Sequence, residues 1–222
     1  MTADPLATDV EFVSERRAEI VAIAGDLFAE RGYAHTTVRE IADAAGILSG
    51  SLYHHFDSKE SMIEALLRDF LDRIGREYAS VTARGRDPVT TLRALVHIAF
   101  GALETDRAAV SVMLNEYNVL VQYPRFAFLR DAVESTERLW VDVLDAGIRA
   151  GDLRNGVPAD AVYRFLRDAI WVSVRWYRPD GPHRPGDIAD EYLTVLLGGL
   201  ATRRPTARST ARSATRSTRR TR

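Results

Sequence analysis

The chain has 222 residues, 46% of them hydrophobic and 27% charged, which is the balance of a globular protein with a buried core. It contains no cysteine, which excludes disulfides, thiolate metal ligands and cysteine nucleophiles. The formal net charge of −1 conceals an asymmetry, since residues 203–222 contain eight of the 30 basic residues and no acid. No secretion signal and no apolar run of about 18 residues is visible, so we expect a cytoplasmic protein without a membrane partner.

Helical periodicity dominates the chain, and no segment has the two-residue alternation of a strand. We therefore predict an all-α fold. Disorder is expected over residues 1–13 and over the Arg/Ser/Thr-rich tail, residues 202–222, which has almost no apolar side chains. The apolar spacing, the glycines and the prolines predict helices over residues 14–31, 37–45, 49–56, from 59 to a break at 85–88, and over 88–104, 106–118, 125–150, 158–178 and 187–201.

The strongest local signal lies between Thr36 and Lys59. Thr37 and Glu40 have the spacing of a capping box, in which each side chain accepts a hydrogen bond from the other residue's backbone N–H. Gly46 supplies a left-handed turn between two short helices whose apolar positions face a common small core. The pattern predicts a helix-turn-helix.

The outer face of the second short helix suits a DNA major groove, which admits one helix and whose base edges are read by short polar side chains. Gly50 allows close backbone approach, while Tyr53, His55 and Lys59 are able to donate to phosphates, which fix the register. Residues 1–56 hold nine acids and four arginines, so a few well-placed cations must make the docking contacts. The predicted DNA-binding residues are Arg16, Thr36, Thr37, Arg39, Ser49, Gly50, Ser51, Tyr53, His54, His55 and Lys59. The alternative is a plain helical hairpin with no DNA function.

This block resembles the TetR family of bacterial regulators. The resemblance lies in Thr37, Ile41-Ala42, Ala45-Gly46, Gly50, Leu52-Tyr53, His55-Phe56 and Lys59, all at the family's spacing. It implies a three-helix DNA-binding domain over residues 14–58 and a larger helical domain over residues 59–201 that binds an effector and dimerises through its last two helices. It also implies a homodimer on double-stranded DNA with a near-palindromic operator. Leu48 stands where the family usually has serine, which leaves the capping residue of the second helix open.

A stripe of charged and aromatic residues lies on the helix predicted over residues 158–178. Arg164, Arg167, Trp171 and Arg175 are spaced by 3, 4 and 4 residues and therefore share one face. An arginine one turn from a tryptophan suits a ligand with an anionic group and an apolar body. The alternative is that these arginines form surface ion pairs and that Trp171 belongs to the core.

Three runs, residues 45–56, 140–144 and 171–179, are similar to an actinobacterial branch of TetR repressors that control late-stage cholesterol (steroid C/D ring) catabolism. This similarity implies that the effector is a CoA thioester of a hexahydroindanedione propanoate, which combines apolar rings with several phosphate charges. The predicted effector-binding residues are Arg167, Trp171, Arg164, Arg175, Trp140 and Tyr117. No cofactor and no metal are expected.

Three other functions stay open at this point. A TetR-type repressor of efflux genes would respond to an uncharged hydrophobic compound. An enzyme is disfavoured, because the chain has no glycine-rich phosphate loop and no recognisable Ser/His/Asp arrangement, and the neighbours His54 and His55 cannot both face one metal ion. A nonspecific DNA-binding protein driven by the basic tail would bind with steep salt dependence and no operator preference.

Overall fold

The computed structural model describes the backbone of residues 5–200 and the side chains of residues 14–199. Within these residues every regular element is a helix, which confirms the all-α class. The α-helices of this part of the chain are α1 (Pro5–Arg31), α2 (Val38–Ala44), α3 (Ser49–Leu52), α4 (Lys59–Thr82), α5 (Pro88–Thr105), α6 (Arg107–Leu120), α7 (Ala127–Ala150), α8 (Ala159–Val172) and α9 (Pro185–Leu200). Two 3₁₀ turns, Pro124–Phe126 and Ser173–Arg175, adjoin α7 and α8. No described helix is both long enough and apolar enough to cross a membrane.

Several helix ends lie where the local sequence predicts them. Ser58 caps α4, and its hydroxyl accepts a hydrogen bond from the Ser61 backbone N–H at 3.2 Å. α5 begins with Pro88 directly after the capping Asp87, as its missing N–H allows. α7 ends at Gly151, whose φ of 78° is the left-handed conformation that favours glycine.

Three helix bounds differ from the prediction. α1 begins at Pro5, nine residues before the predicted start, so residues 5–13 are helical where we predicted disorder. A proline is compatible with a first helical turn, and the next helix breaker, Gly25, lies far into α1. α3 ends at Leu52, and the N–H groups of His54 and His55 bond to carbonyls three residues back. α8 ends at Val172 and passes into a 3₁₀ turn.

The disorder predicted for residues 1–4 and 202–222 concerns segments outside the described residues.

The core consists of two hydrophobic clusters, and α4 contributes to both. Its first half places Met62, Ile63 and Leu67 in a cluster with the buried faces of α1 to α3. Its second half places Ile74 and Tyr78 in a larger cluster with α5 and α7 to α9. α6 is shared in the same way, since its start packs in the larger cluster and its later residues pack in the smaller one. α7 contributes to both clusters as well, with Leu129 in the smaller one and Trp140 in the larger one, so three helices connect the helix-turn-helix to the larger helical domain.

Several large apolar side chains on α8, just after it and on α9 are exposed in the described protomer. The exposed fractions are 74% for Phe165, 40% for Val172, 56% for Trp176 and 79% for Val195. Phe165 and Val172 lie seven residues apart and therefore share one face of α8, which marks that face as a candidate interaction surface. The domain division at residues 58 and 59 remains a prediction.

Candidate DNA-binding and effector sites

The start of α2 is held by the predicted capping box. The Thr37 hydroxyl accepts a hydrogen bond from the Glu40 N–H at 3.2 Å, and the Glu40 carboxylate accepts one from the Thr37 N–H at 2.8 Å. The backbone hydrogen bond from Thr37 is the largest cause of a lowered pKa for Glu40, and Arg31, 2.9 Å away, lowers that pKa further. The helix-turn-helix therefore begins with a charged, fully satisfied cap.

The turn into the recognition helix answers the capping question that the sequence left open. Gly46 has a φ of 66°, the left-handed conformation that the turn requires. Leu48 occupies the N-cap position of α3, and no side chain caps that helix. A leucine side chain cannot accept a hydrogen bond and so cannot cap the helix, and the Leu48 side chain is 79% exposed. Leu48 is a candidate DNA contact that the site prediction missed, although its departure from the usual serine was visible.

The outer face of α3 is open to solvent as predicted. Ser51 and His54 are exposed, Tyr53 is 55% exposed, and a Cβ added to Gly50 would meet no atom within 4 Å. Ser49 and His55 are half-buried. Arg39 on α2 is available as well, since its side chain is 85% exposed and only a loose ion pair of 3.9 Å joins it to Asp43.

Three predicted DNA-binding residues point inward instead. Thr36 is 1% exposed, and its hydroxyl donates to the Leu27 and Gly32 carbonyls at 3.2 and 3.0 Å. Arg16 donates to the Ala45 carbonyl at 2.7 Å, at the end of α2. Lys59 donates to the Tyr33 and Thr36 carbonyls at 2.7 and 2.8 Å. These internal hydrogen bonds tie α1, α2 and α4 together, and DNA contacts by the three residues remain a prediction.

Tyr33, in the turn between α1 and α2, links the two halves of the molecule. Its backbone N–H donates to Glu116 of α6 at 3.2 Å, and its hydroxyl donates to Glu60 of α4 at 2.8 Å. Burial, followed by the hydrogen bond to Glu60, raises the pKa of Tyr33, and the same bond lowers the pKa of Glu60. The Lys59 ammonium lies 4.3 Å from the centre of the Tyr33 ring. A shift of α6 therefore acts directly on the turn that precedes α2.

The structure brings three of the six predicted effector residues together. Trp140, Arg167 and Trp171 line one cavity between α4, α5, α7 and α8. The other residues that line it are Tyr78, Ala99, Thr136, Tyr163 and Ile170. The free space is about 20 Å³, which is room for a single water molecule. The cavity holds half of the predicted effector residues and is closed to any ligand larger than water.

Aromatic contacts form the walls of this cavity. Trp140 packs edge-on against Tyr78, with ring centres 5.6 Å apart, and Trp171 packs likewise against Phe70 at 6.1 Å. Arg167 is the charged residue among those that line it, and its guanidinium lies 5.8 Å from the Tyr163 ring and 2.9 Å from Asp168. Burial raises the pKa of Tyr163 to about 12, so its hydroxyl remains a proton donor at neutral pH.

The remaining three effector candidates lie elsewhere. Arg164 is exposed and pairs with Asp160 at 3.3 Å, one turn back on α8. Arg175 is exposed in the 3₁₀ turn after α8, so the predicted stripe does not continue as one regular helix. Tyr117 packs against the smaller hydrophobic cluster beside the helix-turn-helix. None of the three lines the cavity.

The fold and the helix-turn-helix agree with comparisons of the sequence with protein families. Residues 20–66 match the bacterial regulatory proteins of the tetR family, and residues 85–200 match the tetracyclin repressor-like C-terminal domain. The chain belongs to the TetR family and is a DNA-binding transcriptional repressor rather than an enzyme.

Within that family the chain is similar to the transcriptional repressor KstR2. Identity to KstR2 of Rhodococcus jostii (strain RHA1) is 47%, over 89% of this chain and 97% of the relative. Identity to KstR2 of Mycobacterium tuberculosis (strain ATCC 25618 / H37Rv) is 46%, over 85% of this chain and 94% of the relative. The structure of the ketosteroid transcriptional regulator KstR2 of Mycobacterium tuberculosis superposes with a TM-score of 0.83, at 45% identity and over 85% of this chain and 96% of that one.

A more distant solved structure shares the fold alone. AibR, solved in complex with isovaleryl coenzyme A and operator DNA, superposes with a TM-score of 0.73 at 23% identity, over 82% of this chain and 98% of that chain.

Proposed function

We propose that this repressor binds a near-palindromic operator as a homodimer and controls cholesterol or steroid catabolism genes. We further propose that a CoA thioester of a steroid ring-degradation intermediate releases it from DNA. The similarity to the ketosteroid regulator KstR2 supports the steroid class, because it extends through the effector domain and not only through the helix-turn-helix. The complex of AibR with isovaleryl coenzyme A is a precedent for a thioester effector on this fold.

The observation that carries the effector proposal is the shared cavity of Trp140, Arg167 and Trp171. Its aromatic walls suit a saturated ring body, and Arg167 supplies one positive charge at its edge for an oxyanion or a phosphate. An effector larger than one water molecule must separate the helices to enter. Binding energy is therefore coupled to a change of helix packing, which is the differential affinity that allostery needs.

The dimer proposal rests on the exposed apolar surface of α8 and α9. Phe165, Val172, Trp176 and Val195 are large apolar side chains on or near these two helices that are exposed in the described protomer. A self-complementary contact of two such helices from each protomer would bury them in a four-helix interface. The two recognition helices would then read successive major-groove faces about 34 Å apart.

The contacts of the described residues give a route between effector and DNA. Opening the cavity moves α4, α5, α7 or α8, and α4 runs directly from Tyr78 at the cavity to Lys59 at the helix-turn-helix. The second connection runs through α6, where Glu116 holds the backbone N–H of Tyr33. A third joins Arg125, before α7, to Glu64 of α4 at 2.6 Å. Effector-induced displacement thus changes the spacing of the two recognition helices.

A gel-shift titration tests the effector. The probe is an operator selected from random DNA by the wild-type protein, and the competitors are steroid-ring propanoyl-CoA thioesters, short acyl-CoA thioesters and the free steroid acids. We expect release by the steroid thioesters alone. If no steroid thioester releases the DNA, the effector proposal is wrong. Release by uncharged hydrophobic compounds without the CoA group would instead indicate a repressor of the efflux type.

Two variants test the cavity itself. Arg167→Met removes the charge, and Trp171→Leu removes one aromatic wall. Both should bind the operator as the wild type does but should need at least about tenfold more thioester for release, the loss expected for one charge-assisted hydrogen bond. Arg164→Met on the same helix is the matched control and should respond normally. Normal release by both cavity variants would show that these residues are structural.

A further inference from the structure

A second concave site lies outside the closed cavity. It is an open groove of about 400 Å³ between α4 and α5. Its residues are Arg73, Arg76, Glu77, Ser80, Val81, Arg84 and Ile98. In contrast to the aromatic cavity, this groove is large enough to receive part of a ligand without any movement of the helices.

The charge of the groove is positive and only partly compensated. Arg73 is paired, since it contacts Asp106 and lies 3.8 Å from Glu77. Arg76 and Arg84 are exposed and form no ion pair with any described residue. Glu77 and Asp106 thus compensate Arg73, while Arg76 and Arg84 leave two guanidinium groups of the groove lining without a carboxylate partner among the described residues. Such guanidinium groups bind phosphate oxygens through paired hydrogen bonds.

The hydrogen-bond donors of the groove recur at regular intervals along the chain. Arg73, Arg76 and Ser80 lie on α4 at intervals of 3 and 4 residues and share one helix face, and Arg84 follows four residues later, just beyond the end of α4 at Thr82. Val81 and Ile98 provide the apolar part of the lining. A row of phosphate-binding donors next to an apolar floor matches a ligand that combines several phosphates with a planar base.

The groove and the cavity border the same pair of helices. Tyr78 and Ala99 line the cavity, and their immediate chain neighbours Glu77 and Ile98 line the groove. One ligand with an apolar ring body, a flexible arm and a phosphorylated end would contact α4 and α5 from both sites.

We propose that the groove binds the phosphates of the nucleotide end of a CoA thioester whose acyl group occupies the cavity. This inference rests on the proposed effector. The cavity supplies one positive charge for a ligand class with several phosphate charges, and the groove supplies the remaining cations. The nucleotide end then adds affinity and accounts for a response to the thioester rather than to the free acid.

The test compares Arg76→Ala/Arg84→Ala with Arg138→Ala, an exposed arginine of α7 that lines neither site. Calorimetric titrations with 3′,5′-ADP and with CoA at low salt measure the groove without the acyl group. Gel shifts with a steroid thioester and with the matching acyl-pantetheine, which lacks the nucleotide, measure release. Operator binding without effector should be equal in all three proteins and controls for folding.

We expect the double variant to bind 3′,5′-ADP and CoA at least about tenfold more weakly, and to need correspondingly more thioester for release. Its response to acyl-pantetheine and the behaviour of Arg138→Ala should equal those of the wild type. Wild-type nucleotide binding by the double variant would overturn the groove assignment, even where thioesters still release DNA. If the wild type binds 3′,5′-ADP through these arginines but no steroid thioester releases the operator, the groove stands and the proposed effector fails.

Discussion

Replacing Lys59 by methionine distinguishes between an internal structural role and a DNA phosphate contact for this lysine. Its ammonium donates to the Tyr33 and Thr36 carbonyls at 2.7 and 2.8 Å, across 26 and 23 residues of chain. A hydrogen bond from a charged donor contributes about 1.5–3 kcal/mol when fully buried. Because Lys59 is half-buried, we expect about 2 kcal/mol for the pair. For a protein of this size that loss lowers Tm by about 4–8 °C.

Thermal unfolding and operator binding at several salt concentrations distinguish the structural role of Lys59 from a phosphate contact. An internal support predicts the Tm loss for Lys59→Met, partial recovery in Lys59→Arg, and an unchanged salt slope of the operator affinity. A phosphate contact predicts an unchanged Tm and a slope shallower by about 0.9 per contact, which is about 1.8 for a dimer. Arg39→Ala, at an 85% exposed side chain, is the control that should change only the slope. An unchanged Tm in Lys59→Met refutes the structural role.

Four further predictions concern other parts of the molecule. Phe165→Asp places a charge in the exposed apolar surface of α8 and should shift the protein to monomers in light scattering; an intact dimer would exclude this surface as the interface. Leu48→Ala should weaken operator binding about tenfold. If Leu48 contacts a thymine methyl, the wild type should lose operator affinity when one thymine per half-site is replaced by deoxyuridine, and Leu48→Ala should show no such loss. Glu116→Gln should leave operator affinity near normal while raising the effector concentration for half-release; an unaltered release curve would remove α6 from the route. The hydrogen bond from Tyr33 lowers the pKa of Glu60 below its ordinary 4.5. The pair therefore stabilises the fold above that pH, and this stabilisation is lost as the pH falls through the lowered pKa. Glu60→Gln should flatten the fall of Tm on the acid side, and an unchanged fall would contradict this.

Features that depend on neighbouring residues could be predicted from the sequence. The capping box of Thr37 and Glu40, the left-handed Gly46 and the end of α7 at Gly151 require partners within a few residues. The helical periodicity likewise depends only on local spacing, so it predicted the all-α class and most helix bounds within a few residues. The family spacing of the helix-turn-helix then indicated DNA binding.

Tertiary structure decided which polar side chains face outward. Thr36, Arg16 and Lys59 look like surface donors in the sequence, yet each donates to backbone carbonyls between 4 and 29 residues away. Those carbonyls lie at helix ends, where the backbone has unpaired acceptors, and only the packed arrangement brings them within reach.

The effector site likewise has features that depend on local sequence and others that depend on tertiary packing. Spacing alone grouped Arg164, Arg167, Trp171 and Arg175 on one helix, but only Arg167 and Trp171 line the cavity. Trp140 joins them from α7, more than twenty residues earlier in the chain. The sequence by itself therefore determined the helices, their caps and the kind of regulator, because these depend on local spacing. Only the packing of α4, α5, α7 and α8 decided which side chains share a cavity and which arginines remain free for a groove, because both depend on contacts between residues far apart in the chain.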